Sequence, residues 1–448
     1  MDSFSYLPHK DKDLMEIIKT KFNQPIENIT DLNKIFFKGQ CRFFDYINYN
    51  YKKEGEEFVK IFDNYKQLVN NIENILKPEI PLLKTNTPKI NLKLTRKEVA
   101  LIFLLSFFNL IDLGQEKFHY TNSFCVFRIL FSSMTIEFGR CFLNYLTIVG
   151  KWLSENNPIL DEKIVYIRES LKLNEEIFKK EKKLCDINIY EKGSLFDGDD
   201  SYFIDFANMY IGGGVLEGGC VQEEILFAVQ PEAIVSMFFM EVMSENDAIR
   251  IDNTIRYSEY SGYGRSFKFT KSAIDMNNIN SIKRNKFIAI DACVQYQYQF
   301  GYGYMDTRVI KRDIHKAYVG FNLINFDQNK KEITCENKQD VEIQNKAIVK
   351  NEENKNFGEK SIGTGNWGCG AFGGDHELKF FQQWIAASFA GVERLDYYTF
   401  EAKQMKLISQ KLDIIKQKYT NANKLYENLI NNKIREGEVL DILLNAEK

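Results

Sequence analysis

The chain is short of the residues that metal sites and membrane spans require. Its 448 residues include four histidines, and its eight cysteines, at 41, 125, 141, 185, 220, 293, 335 and 369, form no C-x-x-C pair and have no histidine at zinc-finger spacing. Small zinc modules are thereby excluded, and the scattered cysteines are expected to be buried thiols. No Gly-Lys-Ser or Gly-Lys-Thr occurs, which rules out a P-loop. There is no charge surplus either: 59 basic against 62 acidic residues leave a net charge of −3, so no direct nucleic-acid binding is expected. The most apolar run, Val99 to Leu110, is 12 residues long, below the roughly 17 that cross a bilayer. The charged opening MDSFSYLPHKDKDLMEIIK has no apolar signal core. A soluble chain of the nucleus or cytoplasm, with no membrane partner, is the expectation.

What is present supports a large core, since 44% of the residues are apolar and 14% aromatic. Residues 1–180 carry helical period, as in Leu14–Phe22, Glu57–Leu76, Val99–Leu113 and Phe138–Ser154, with almost no strand signal. Pro78, Pro81, Pro88 and Pro158 punctuate them, and Thr95-x-x-Glu98 is a capping box that starts the apolar helix. This region reads as a helical accessory domain. Over 181–400 the runs Tyr202–Phe206, Ala248–Arg256, Phe287–Ala292 and Leu395–Phe400 read as strands. Helical patterns at Glu232–Met243 and Leu378–Phe389 lie among them, predicting a layered α/β domain. Residues 327–361 are rich in Asn, Lys and Glu and read as a solvated polar insertion. Residues 401–448 form a charged helical extension, broken near Asn421 to Asn423.

Two glycine-rich segments stand out. Asp205 to Glu224 reads DFANMYIGGGVLEGGCVQEE, with a triplet at Gly212, Gly213 and Gly214 ahead of Gln222, Glu223 and Glu224. Three glycines in a row are entropically costly and persist where side chains are unwelcome, which points to backbone approached closely by a ligand, with carboxylates just beyond it. A side chain at Gly213 is expected to exclude that ligand. The bland reading of Glu223 and Glu224 is two acids in a helix's first turn, favoured there by the macrodipole. The second segment, Gly363 to Asp375, reads GTGNWGCGAFGGD, and Gly368 to Gly373 within it matches G-x-G-x-x-G. A Rossmann site is not expected, because a polar insertion precedes the match where an apolar strand belongs. Glycine-rich backbone ahead of Asp375 as N-cap still offers N–H groups to an anion; the bland alternative is a structural turn around a core Trp367. The four histidines show no partner arrangement, and the stretch Tyr296 to Tyr304 reads as packing or a surface loop.

With both segments in hand, the chain resembles the poly(ADP-ribose) glycohydrolases. The resemblance rests on DFANMYIGGGVLEGGCVQEE (205–224), YSEYSGYG (257–264), AIDA (289–292), KAYVGF (316–321), TGNWGCGAFGGD (364–375) and YYTF (397–400), which occur in the family's order over most of 195–400. It implies an α/β, macrodomain-like mixed sheet flanked by helices, preceded by a helical accessory domain. It also implies roles: Glu224 as catalytic acid, Glu223 positioning the scissile ribose, and Asn208 on the ribose with Asp205 in support. Gly212, Gly213, Gly214 and Gln222 belong to the same substrate-binding segment. Tyr263 would stack at the adenine, and Phe400 would flank the adenosine. The diphosphate loop would include Gly365, Asn366, Gly368, Gly370, Ala371, Phe372 and Gly373, with Phe372 against the terminal ribose. Neither metal nor cofactor is implied. The partners implied are poly(ADP-ribose) and poly(ADP-ribosyl)ated proteins, with ADP-ribose as product.

The chemistry would be cleavage of a ribose–ribose O-glycosidic bond, mainly exo-acting, through an oxocarbenium-like state. Adjacent helical residues point about 100° apart, so the two glutamates are not expected to act as a symmetric pair. Glu224 would instead serve twice, as acid and then as base, from a partly desolvated position beside Glu223. The alternatives are a non-catalytic ADP-ribose reader, which would lack the glutamate pair, and a hydrolase of mono-ADP-ribosylated protein.

Overall fold

Eight strands form one sheet, and their ends place everything that follows. The computed structural model describes residues 4–111, 121–131, 135–198, 201–294, 299–300, 304–325 and 360–446. The strands are β1 (Ile90–Thr95), β2 (Lys163–Ser170), β3 (Asp186–Tyr190), β4 (Tyr202–Ala207), β5 (Asp247–Thr254), β6 (Asn285–Asp291), β7 (Ser361–Gly365) and β8 (Arg394–Tyr398). They lie in the order β1-β2-β5-β6-β4-β7-β8-β3. The block β6, β4, β7, β8, β3 is parallel, whereas β5, β2 and β1 each run antiparallel to the neighbour before them. This is the mixed, helix-flanked sheet expected from the sequence.

The period-two alternation along each strand divides the core. Phe203, Phe287, Ala289, Ile249 and Ile251 face one side and share an apolar cluster with the helical half. That half comprises α1 (Lys12–Phe22), α2 (Ile29–Phe37), α3 (Arg42–Asn50), α4 (Lys52–Asn70), α5 (Arg96–Phe107) and α6 (Ile136–Ser154). The short helix α7 (Gln222–Val229) is buried along its whole length on this side. Tyr202, Ile204, Ile288, Ile290, Ile362 and Leu395 face the other side. They pack with α8 (Thr307–Asn322), α9 (His376–Ala390), α10 (Met405–Lys418), α11 (Ala422–Asn431) and α12 (Val439–Asn445).

The capping signals hold: Thr95 and Glu98 close the box that starts α5, and Asp375 accepts the Leu378 N–H at 2.7 Å to start α9. Three expectations are corrected. The first 180 residues do hold strands, for β1 and β2 both join the main sheet. β2 is buried on both faces, as β4, β5 and β6 are, and its apolar run Ile164 to Ile167 is of the same β-rich kind; its Arg168 bonds to the carbonyls of Leu83, Glu241 and Val242 and to Asp247. The pattern Glu232–Met243 is not an α-helix: a 3₁₀ helix ends at Phe238, and Met240 then bridges Leu83. Ser361, read as the end of the polar insertion, opens β7. Residues 327–359 of that insertion lie outside the described residues, as do His119, the Leu113 end of the predicted helix and most of Tyr296 to Tyr304.

One buried ion pair ties the helical half to the sheet. Arg96, fully buried, donates to Glu232, to the Asn253 carbonyl at 3.0 Å and to the Ile159 carbonyl at 3.3 Å. Glu232 in turn accepts from the Tyr257 hydroxyl at 2.5 Å and the Ile255 N–H at 2.9 Å. Removing one partner strands the other charge in the core, a loss of roughly 3–5 kcal/mol. Arg96→Met is therefore expected to lower the unfolding free energy by that amount in urea titration; a change below about 1 kcal/mol would mean that the pair adds little.

Candidate active site

β4 ends at Ala207, and the chain then doubles back through the glycine segment into α7. Asn208 accepts the Tyr210 N–H at 3.0 Å and fixes the first bend. Gln222, at the head of α7, accepts the Phe206 N–H at 2.8 Å and donates to the Ile204 carbonyl at 3.0 Å, lashing the helix to β4. The next two residues then face the turn.

Each glutamate oxygen there meets one backbone N–H. Glu223 accepts from Asn208 at 2.8 Å and from Gly212 at 2.7 Å. Glu224 accepts from Gly214 at 2.9 Å and from Val221 at 2.9 Å. Gly213, at φ +50°, sits between them: a Cβ there would lie 2.5 Å from Glu223 Oε2 and 2.5 Å from Glu224 Oε1. The triplet is side-chain-free at its centre because the two carboxylates occupy that space. This revises the expectation that a ligand is what a Gly213 side chain would first meet.

Asp205, on β4 beneath the turn, is fully buried, and neither carboxyl oxygen has a hydrogen-bond partner among the described residues. Burial first, and then the charge of Glu224, pushes its carboxyl well above the usual range. Glu223 is pushed up as well, by burial and then by Asp205 and Glu224, with the Asn208 and Gly212 N–H groups opposing. Glu224 is the most exposed of the three, at 6% against 2% and 0%.

The second glycine segment leaves the end of β7, the strand beside β4, so both loops emerge at the same edge of the parallel block. It does follow a buried strand and leads through α9 into β8, a β-α-β unit. The reason given above against a dinucleotide turn thus fails, because β7 is five residues long, two of them glycine, and too small to read beside the insertion. Trp367 is wholly buried, donates to the Ile290 carbonyl at 2.8 Å and anchors the loop. Asn366 ties the strand ends, donating to the Thr399 carbonyl at 2.8 Å and accepting from the Tyr397 hydroxyl at 3.3 Å. Gly368 and Gly373 take positive φ, at +75° and +66°. Gly365 lies against the Tyr398 carbonyl, whereas Gly370 has open space on its side-chain face. Ala371 is exposed and Phe372 half-buried.

Sequence reasoning missed the cation under this loop. Lys379 is fully buried, its Nζ 4.5 Å from the Trp367 ring centre and paired with Asp313 of α8. The signal was present, a lysine amid the apolar run Leu378, Phe380, Phe381. Two of the three aromatic candidates, Tyr263 and Phe400, are open to solvent. Tyr263 is 57% exposed, and its segment is tied to the first loop through Gly264 N–H to the Cys220 carbonyl at 3.1 Å. Its phenol is raised by partial burial and next by the charge of Glu224. Phe400 is 52% exposed just past β8, at a strained φ of +50°. Among the described residues no group of His, Cys, Asp or Glu is placed to hold a metal ion, and no helix is long and apolar enough to cross a membrane.

Two family models match the chain: poly(ADP-ribose) glycohydrolase, macro domain fold, over 174–407, and poly(ADP-ribose) glycohydrolase, helical domain, over 49–168. Among curated proteins it is similar to poly(ADP-ribose) glycohydrolase 1 of Arabidopsis thaliana, 29% identical over 405 residues, covering 79% of this chain and 71% of that protein. It is similar also to probable poly(ADP-ribose) glycohydrolase 2 of the same plant, at 29% over 311 residues, or 65% of this chain and 58% of that one. Poly(ADP-ribose) glycohydrolase 1 of Caenorhabditis elegans is 31% identical over 270 residues, 57% of this chain and 30% of that protein. The chain thus spans less than two thirds of the latter two. With a glutamate pair seated under a glycine triplet, a second glycine loop beside it, and both family models matched in sequence order, the chain belongs to the poly(ADP-ribose) glycohydrolase family.

Proposed function

We propose that this chain hydrolyses the ribose–ribose O-glycosidic bond of poly(ADP-ribose) and releases ADP-ribose, chiefly from chain ends. The observation that carries the reading is the pair of buried carboxylates flanking Gly213 beside a second glycine loop at the same sheet edge. Open α/β sheets bind ligands at the carboxyl ends of their strands. The loop 365–374 would take the diphosphate on its backbone N–H groups, Tyr263 and Phe400 would flank the adenosine, and Phe372 would pack on the ribose. Asn208 and Glu223 would hold the ribose whose bond is cut.

The proton inventory follows from the geometry. Asp205 and Glu223 are buried together beside Glu224, and burial pushes both of their carboxyls upward, so this pair retains protons. Glu224, the most exposed of the three, delivers a proton to the leaving ribose oxygen as the C–O bond breaks. The oxocarbenium-like carbon is then captured by water, whose proton returns to the Glu224 carboxylate. The substrate's own diphosphate stabilises the cation electrostatically. Poly(ADP-ribosyl)ated proteins in the nucleus or cytoplasm would supply the polymer.

Glu224→Gln keeps the shape and removes the proton. With radiolabelled poly(ADP-ribose), release of ADP-ribose is expected to fall by at least about 100-fold while calorimetric ADP-ribose affinity stays within a few-fold; a near-wild-type rate would remove Glu224 from the mechanism. Gly213→Ala places a methyl against both carboxylates and should lower kcat by roughly 100-fold; wild-type turnover would show that the glutamates tolerate displacement. For Asp205 the sign is set by its raised carboxyl. The unfolded group ionises at ordinary pH and the folded one only higher, so its burial lowers stability increasingly as pH rises. Asp205→Asn should therefore raise the melting temperature, and by more near pH 8 than near pH 5. An equal effect at both would mean that Asp205 does not titrate abnormally.

A further inference from the structure

Between α5 and α6 the helical half sends a strap, residues 121–131, across the glycine turn. It is anchored on α5, where Ser106 Oγ donates to the Phe124 carbonyl at 3.1 Å and accepts the Val126 N–H at 3.0 Å. The Phe124 ring lies 5.2 Å from that of Phe238. Farther along, Arg128 approaches Glu217 at 3.7 Å.

Asn122, near the start of the strap, reaches into the turn itself. Its amide nitrogen lies 2.9 Å from the Ile211 carbonyl, 2.9 Å from the Gly213 carbonyl and 3.3 Å from the Tyr210 carbonyl. Its oxygen accepts the Ser123 N–H at 2.8 Å. Carbonyls require the NH₂ and the N–H requires the oxygen, so the partners define the orientation of the amide.

Two of those carbonyls matter because of what lies at the other end of the same peptide plane. The Ile211 carbonyl shares a peptide unit with the Gly212 N–H, which donates to Glu223 at 2.7 Å. The Gly213 carbonyl shares one with the Gly214 N–H, which donates to Glu224 at 2.9 Å. A peptide unit is rigid and planar, so holding its oxygen aims its N–H. A bond at the carbonyl also polarises the unit and strengthens the donor opposite. We infer that Asn122 is a positioning residue for the glycohydrolase reaction: one side-chain amide, from outside the glycine segment, sets both peptide planes that grip Glu223 and Glu224.

This rests on the activity proposed above, so the test carries a readout independent of that activity. Asn122→Ala and Asn122→Asp are compared with wild type. The aspartate keeps the shape and the Ser123 bond but presents oxygens to three carbonyls. Amide hydrogen exchange at Gly212 and Gly214 is expected to accelerate by roughly tenfold in both variants. On poly(ADP-ribose), kcat should fall roughly 10- to 100-fold with KM within about threefold and the melting temperature little changed, the pattern of lost transition-state geometry. Unchanged exchange at both glycines, or wild-type kcat in Asn122→Asp, would overturn the inference. A wild-type protein that leaves the polymer intact would sink the activity reading, while the exchange rates still judge the clamp.

Discussion

Two carboxyl groups buried side by side need hydrogen-bond donors, because a buried polar oxygen left without a partner is costly. Here the donors are four backbone N–H groups, those of Asn208, Gly212, Gly214 and Val221, one for each glutamate oxygen. The turn that brings the Gly212 and Gly214 N–H groups onto the two carboxylates leaves no room for a side chain at Gly213 between them. The glycine triplet, the bend at Asn208 and the lashing of α7 by Gln222 all follow from that requirement.

The sheet then determines what the pair faces. β4 and β7 are parallel neighbours, so the loops that leave their carboxyl ends stand together although 160 residues separate Tyr202 from Ile362. Trp367 and Lys379 fill the space beneath the second loop, and its glycines keep backbone at the surface. Under the proposed reaction such a site would divide the labour: one loop would aim the acids, the other would offer backbone to the diphosphate, and the exposed rings of Tyr263 and Phe400 would lie at the margins.

The helical half is more than a neighbour. Arg96 joins it to Glu232 just beyond α7, and Asn122 joins it to the turn that holds the glutamates. Neither residue is legible in sequence. Arg96 reads as an ordinary first-turn residue of a capped helix, and Asn122 sits among polar loop residues with no motif. The contacts of both span long sequence separations, which no local pattern records. β2, by contrast, carries a legible signal, since Ile164, Val165, Tyr166 and Ile167 form a β-rich run like those of β4 and β6. β7 was too short to be seen beside the polar run before it.

The sequence by itself determined the chemistry-bearing types and their spacing: the triplet, the adjacent glutamates, the second glycine loop, the caps at Thr95 and Asp375, and the strands β4, β5, β6 and β8. These are local features, set by backbone freedom, capping and periodicity, and they carried the family resemblance. Tertiary structure alone decided that the carboxylates flank Gly213, that Asp205 lies beneath them with no hydrogen-bond partner among the described residues, and that Asn122 holds the turn from outside. The physical reason is that burial and the convergence of donors depend on which elements pack together, and in this chain the packing brings residue 122 to residue 213 and β7 to β4.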